Sequence, residues 1–133
     1  MTIRVPDYLD TSAFIKLVRS EPESPALRAE LGTGDALVSS VLLLVEGRRA
    51  AARYGPIALA RARAALTTIT LLPLDEPTLE SAAGLEPTEL RSLDALHLAT
   101  ASSLGQALTR FYCYDVRLAG AARARGLHVH GPT

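Results

Sequence analysis

Four acidic residues sit beside apolar segments in positions that can bring carboxylates together: Asp10 after Leu9, Glu46 after Val45, Asp94 after Leu93 and Asp115 after Tyr114. Each has a plain local role open to it. Asp10 and Asp94 can cap helices. Glu46 is spaced to pair with Arg49 and Arg53 along one helix face, and Asp115 can serve a turn. As a set they offer more. Clustered carboxylates repel one another and some of their pKa values rise, a cost that a divalent cation removes. An oxygen-only ligand set suits Mg²⁺, or Mn²⁺, far better than Zn²⁺, and no set of histidines and cysteines argues for the softer ion.

Such a set works only if separate elements converge. The hydrophobic pattern predicts strands over residues 5–10, 36–40, 68–74, 110–114 and 127–129. It predicts helices over residues 13–19, 25–31, 41–54, 56–67, 77–84, 93–104 and 116–125. Gly55-Pro56 separates two of the helices and Gly126 closes the last, while residues 32–35 and 86–93 read as turn and loop. Strands and helices alternate throughout, and the strands are short and largely apolar. That is the pattern of a parallel sheet covered by helices on both faces, in which sites form at the carboxyl ends of the strands. Asp10 and Asp115 fall at such ends. Glu46 lies early in the helix after the second strand, and Asp94 begins the helix before the fourth.

The 133 residues fit one domain, residues 1–133, large enough for a core without staples. Lys and Arg number 14 and so do Asp and Glu, which excludes a strongly basic nucleic-acid binder at whole-chain level but not a local basic patch. The single cysteine, Cys113, excludes an intrachain disulfide. The longest apolar run stops at Glu46, far short of the ~20 residues of a membrane span. The first seven residues lack a signal-peptide core. The expected compartment is the cytoplasm.

Several segments together resemble a known family. Leu9-Asp10-Thr11-Ser12-Ala13, Val45-Glu46, Ser92-Leu93-Asp94-Ala95-Leu96-His97-Leu98-Ala99-Thr100-Ala101 and Tyr114-Asp115-Val116-Arg117-Leu118 stand in that order. With the closing Ala121-Ala122-Arg123-Ala124-Arg125-Gly126-Leu127, they resemble the PIN-domain ribonucleases, in particular VapC-type toxins of toxin–antitoxin pairs. The resemblance spans nearly the whole chain. It implies a three-layer α/β/α PIN-like fold with a short, mostly parallel sheet of four to five strands. It also implies that Asp10, Glu46, Asp94 and Asp115 are the acidic quartet and that Ser12 is the hydroxyl supporting the first acid. Family members often carry Thr or Ser two residues before the last acid, where this chain has Cys113. The implied reaction is Mg²⁺- or Mn²⁺-dependent hydrolysis of RNA phosphodiesters, leaving a 5′-phosphate and a 3′-hydroxyl. A cation held by carboxylates can acidify water and neutralise the phosphate. Asp10 and Asp94 are expected as direct metal ligands, Asp115 as a ligand through water or to a second ion, and Glu46 as the group that orients or deprotonates water. The implied partners are RNA, a cognate antitoxin and a second copy of the chain, with no membrane. Phe14, Leu17, Val18 and the apolar faces of residues 41–66 are candidate surface for the protein contacts.

Positive charge for RNA is concentrated. Residues 47–74 hold five arginines (Arg48, Arg49, Arg53, Arg61 and Arg63) and no acid, which reads either as a solvated helix pair or as an arm for the phosphate backbone, with Arg48, Arg49 and Arg53 as the RNA contacts. His97 reads as a packed histidine, or as a partner for Asp94 one turn earlier. His128 and His130 fit an end strand with one exposed face. Tyr112, Tyr114 and Cys113 fit the core. Two rival classes remain. A receiver-like phosphoacceptor domain would carry an acidic pair after the first strand and a lysine after a late strand, and Lys16 is the sole lysine. A non-catalytic or RNA-processing protein on the same scaffold is separated from the enzyme by metal-dependent activity.

Overall fold

The computed structural model describes residues 6–32 and 36–133. The expected strand start at Val5, most of the expected turn at 32–35 and the amino-terminal reading lie outside the described residues. The strands are β1 (Pro6–Leu9), β2 (Ala36–Ser40), β3 (Thr70–Leu72), β4 (Arg110–Tyr112) and β5 (Val129–His130). They form one five-stranded sheet in the order β3-β2-β1-β4-β5, with every pair parallel. The helices are α1 (Thr11–Val18), α2 (Ser24–Leu31), α3 (Leu42–Ala52), α4 (Pro56–Leu66), α5 (Glu76–Ala83), α6 (Ser92–Ser102) and α7 (Val116–Ala124).

The two-residue period of a strand divides the core into two layers. Tyr8 of β1 and Phe111 of β4 are register partners and point to one face, where they pack with residues of α5, α6 and α7. Their rings stack with centroids 5.2 Å apart. The next pair in register, Leu9 and Tyr112, points to the other face and packs with residues of α1 to α4. Helices therefore cover both sides of the sheet, giving the three-layer α/β/α fold expected of the sequence.

Strand lengths differ from expectation for local reasons. β3 stops at Leu72, whose carbonyl accepts the Val41 N–H at 2.9 Å where its neighbour β2 gives way to α3. β4 stops at Tyr112, and the N–H of Tyr114 goes to the hydroxyl of Ser12 at 2.9 Å rather than to a strand. Phe14 and Val18 are buried, at 0% and 1% exposure, so they belong to the core and not to an apolar surface. Leu17 packs against the same cluster. On the apolar face of residues 41–66, Val41, Leu44, Val45 and Ile57 are exposed.

One close approach fixes how α3 lies on α1. A Cβ on Gly47 would stand 2.7 Å from Cε2 of Phe14. Glycine in a helix interior costs about 1 kcal/mol relative to alanine. Here it lets the buried Phe14 ring reach the α3 backbone, one residue from Glu46.

Candidate active site

The carboxyl ends of β1 and β4, the sheet's two central neighbours, carry the first and last acids. Asp10 continues the ladder through its N–H to the Tyr112 carbonyl at 3.1 Å. The chain then turns into α1, and Oδ1 of Asp10 caps that helix by accepting the Ala13 N–H at 3.0 Å. The same oxygen accepts the Ser12 hydroxyl at 2.6 Å. Ser12 thus holds Asp10 with its proton and the Tyr114 N–H with its lone pair, stitching the β1–α1 junction to the segment after β4. Asp115 repeats the device at α7, where its Oδ1 accepts the Leu118 N–H at 2.9 Å. The capping role is real for both residues. It engages one oxygen of a two-oxygen group, so it does not compete with a role in a site.

Asp94 differs. It lies in the first turn of α6, but the N-cap position is Arg91 and no side chain caps this helix. Burial raises the Asp94 carboxyl above the usual range, and the charges of Asp115 and Glu46 push the same way, opposed by His97 and Arg91. Asp10 is raised as well, chiefly by burial, with the bonds from Ser12 and Ala13 pulling it back. Asp94 therefore lies within reach of the charges of Asp115 and Glu46, and His97 acts on both Asp94 and Asp10.

Glu46 does not form the arginine row that its spacing allows. Among the described residues no ion pair joins it to Arg49 or Arg53. Its Oε1 instead receives His97 Nε2 at 2.7 Å and the Thr11 hydroxyl at 3.1 Å. Nδ1 of His97 meets the Tyr8 hydroxyl at 2.7 Å. Sequence reasoning gives Thr11 and Tyr8 no part in the site, and His97 finds Glu46 across it rather than Asp94 on its own helix. The spacing of His97 three residues after Asp94 was a signal that the imidazole faces the acids, but nothing local names its partner.

Cys113 is buried at 3% exposure and points its thiol toward the Asp115 carbonyl at 3.4 Å. Burial, with the neighbouring Asp10 charge, pushes this thiol far up, and a soft sulfur donor is poorly matched to a hard cation. The donors that remain are carboxylates, which fit a hard divalent cation in kind. Among the described residues no three His, Cys, Asp or Glu side chains stand close enough to form a finished coordination shell. The acids are an electrostatically coupled group rather than a preformed cage.

Arg48, Arg49 and Arg53 are exposed on α3 or at its end. Arg48, Arg49 and Arg63 line a shallow groove between α3 and α4 together with Leu44, Val45, Ala52 and Leu59. His128 is exposed, and His130 bonds Glu30 at 3.0 Å. Tyr112 is fully buried, with its hydroxyl pushed up to about 12 by that burial. Tyr114 is tied to the Pro132 carbonyl at 2.7 Å and lies under the Lys16 ammonium. Among the described residues no helix is long and apolar enough to cross a membrane.

Comparison with known proteins gives the family. The family model for the PIN domain matches residues 8–122. Ribonuclease VapC46 of Mycobacterium tuberculosis is 47% identical over 126 residues, covering 95% of this chain and 97% of that one. Ribonuclease VapC47 of the same species is 44% identical over 130 residues, covering 94% and 96%. Among solved structures, a toxin–antitoxin complex from Klebsiella pneumoniae superposes with a TM-score of 0.68 at 21% identity, over 96% of this chain and 98% of that one. A sheet with its acids at the carboxyl ends of β1 and β4, and sequence identity of this extent, place the chain in the PIN-domain family, beside the VapC ribonucleases.

Proposed function

We propose that this protein is a divalent-cation-dependent endoribonuclease and the toxin of a toxin–antitoxin pair. The observation that carries the reading is the convergence of the four acid-bearing segments at one end of the sheet: Ser12 joins Asp10 to the segment before Asp115, and Glu46 bonds both Thr11 beside Asp10 and His97, one turn after Asp94. Such a concentration of negative charge is costly unless a cation uses it. Asp10 and Asp94 are assigned as the direct ligands, and Asp115 as a ligand through water or to a second ion. Glu46 orients the attacking water and takes its proton. Ser12 fixes the direction of Asp10. A bound Mg²⁺ or Mn²⁺ supplies charge neutralisation at the scissile phosphate and lowers the pKa of water. The product ends assigned are a 5′-phosphate and a 3′-hydroxyl.

The test is cleavage of RNA by the purified protein with Mg²⁺, with Mn²⁺ and with excess chelator. Cleavage that needs a cation and leaves 5′-phosphate ends supports the reading. Undiminished cleavage in chelator refutes the cation's role, and no cleavage of a broad set of cellular RNAs refutes the enzyme.

RNA binding is assigned to the exposed arginines of α3, whose guanidinium forks suit phosphate oxygens. Log affinity for single-stranded RNA is expected to fall linearly with log salt. Each phosphate that an arginine neutralises contributes about 0.7 to the steepness of that fall, so Arg49→Ala with Arg53→Ala should flatten it by roughly 1.4. Nitrocellulose filter binding at several salt concentrations measures this directly. The antitoxin partner is assigned by kinship with proteins solved as toxin–antitoxin complexes.

A further inference from the structure

His97 is a buried polar side chain that the roles above leave unused. It is 2% exposed, on a helix whose other buried residues are Ala95, Leu98, Ala99, Thr100 and Ala101. Packing alone would be served by an apolar side chain there, and burying an imidazole is costly unless both nitrogens are bonded. Both are. Its ring stands edge-on to Tyr8 with centroids 5.8 Å apart and meets that hydroxyl through Nδ1. Nε2 lies 2.7 Å from Oε1 of Glu46 and 3.2 Å from the Thr11 hydroxyl oxygen.

Hydrogen-bond accounting fixes the direction of these contacts. An ionised carboxylate only accepts, so the short contact requires the proton on Nε2, shared at longer range with Thr11. Nδ1 accepts from the Tyr8 hydroxyl when the imidazole is neutral and donates to that oxygen when it is protonated, so both nitrogens are bonded in either form. Thr11 donates its own proton to the same Oε1. One oxygen of Glu46 thus takes two donors, while among the described residues nothing bonds Oε2. The imidazole also touches or belongs to the elements that deliver three of the acids: α6 with Asp94, α3 with Glu46, and the β1–α1 junction with Asp10.

We propose that His97 is a positioning residue for Glu46, braced by Tyr8 and assisted by Thr11, which grips Oε1 so that Oε2 faces the reacting water. The proposal rests on the ribonuclease reading of Glu46. Its effect is on the chemical step, because the clamp orients a group without touching RNA. Misplacing a reacting group by about 1 Å costs on the order of 100-fold.

The experiment is a double-mutant cycle on the full chain under single-turnover conditions with saturating cation. His97→Leu and Thr11→Val are each made alone and with Glu46→Gln, and His97→Gln is the conservative variant that keeps a donor. The expected result is a fall in the single-turnover rate constant of about 10- to 100-fold for His97→Leu, with the enzyme concentration that half-saturates the RNA unchanged. His97→Gln should recover part of it, and neither His97→Leu nor Thr11→Val should cost anything further once Glu46 is Gln. A purely structural role predicts the same loss in both backgrounds, and that outcome overturns the proposal. Thr11→Val, at a half-buried site, carries the test if His97→Leu does not fold. A second readout needs no RNA. Proton NMR of the free protein should show a downfield imidazole N–H resonance that moves upfield in Glu46→Gln but not in Asp94→Asn; an unmoved resonance also overturns the clamp. Wild-type protein that cleaves no RNA while the resonance behaves as expected would overturn the ribonuclease reading and the catalytic purpose of the clamp, leaving its geometry standing.

Discussion

Asp94→Asn is expected to reduce RNA cleavage by about 10²–10³-fold, the scale seen when one group that stabilises transition-state charge is removed. The same variant should melt no lower than the wild type in chelator. Burial and the neighbouring Asp115 and Glu46 charges raise the Asp94 pKa above its unfolded value. For a carboxyl shifted in this direction, ionisation costs the fold stability. The penalty is absent below the ordinary carboxylate range, grows as pH rises from there and is complete once pH exceeds the raised pKa. The amide carries no such charge. Wild type should gain thermal stability from Mg²⁺ or Mn²⁺, because a ligand that binds only the folded state stabilises it, and Asp94→Asn should gain less. Melting curves in chelator and in millimolar cation at pH 7, run beside the cleavage assay, measure both effects. A variant that loses activity and also melts well below the wild type in chelator would make Asp94 a structural residue.

Gly47→Ala is expected to destabilise the fold although it improves helix propensity. The gain of about 1 kcal/mol in the helix interior is set against a Cβ placed 2.7 Å from a ring carbon of fully buried Phe14. Overpacking of this kind costs about 1–3 kcal/mol. The net expectation is a loss of up to about 2 kcal/mol, read by urea denaturation at constant m-value. Phe14→Leu in the same chain should return part of it by yielding the space. Activity should fall as well, because Glu46 is the next residue and its bond to Thr11 depends on the spacing of α1 and α3. Equal or greater stability for Gly47→Ala would mean that the Phe14 ring turns aside freely.

The order and type of the elements were legible in the sequence because the signals are local. Gly55-Pro56 and Gly126 punctuate the chain, and the apolar segments alternate between two periods. The acids were legible for the same reason. Asp10 and Asp115 stand where strands give way to helices, and the alternation of elements places such junctions at one edge of the sheet. What was not legible is long-range pairing. His97 and Glu46 are separated by 51 positions and Tyr8 and His97 by 89, and no local pattern encodes either bond. The arginine row for Glu46 was a sound local reading that a tertiary contact displaced. The fate of Phe14 and Val18 was undecided for a related cause. An apolar face on a helix is required both by a core and by an exposed contact surface, and only the packing of α3 and α4 onto α1 separates the two.

The sheet order has a consequence for synthesis. Of the described strands β1 is made first, yet it lies at the centre of the sheet, with one edge paired to β2 and the other to β4. Until residues 110–118 leave the ribosome, Asp10 lacks its Tyr112 partner, Ser12 lacks Tyr114 and the fourth carboxylate does not exist. A growing chain therefore carries three acids but cannot close the site. An activity aimed at RNA would be withheld from the ribosome that is making it, and would arise only with the late insertion of β4 and the docking of α7.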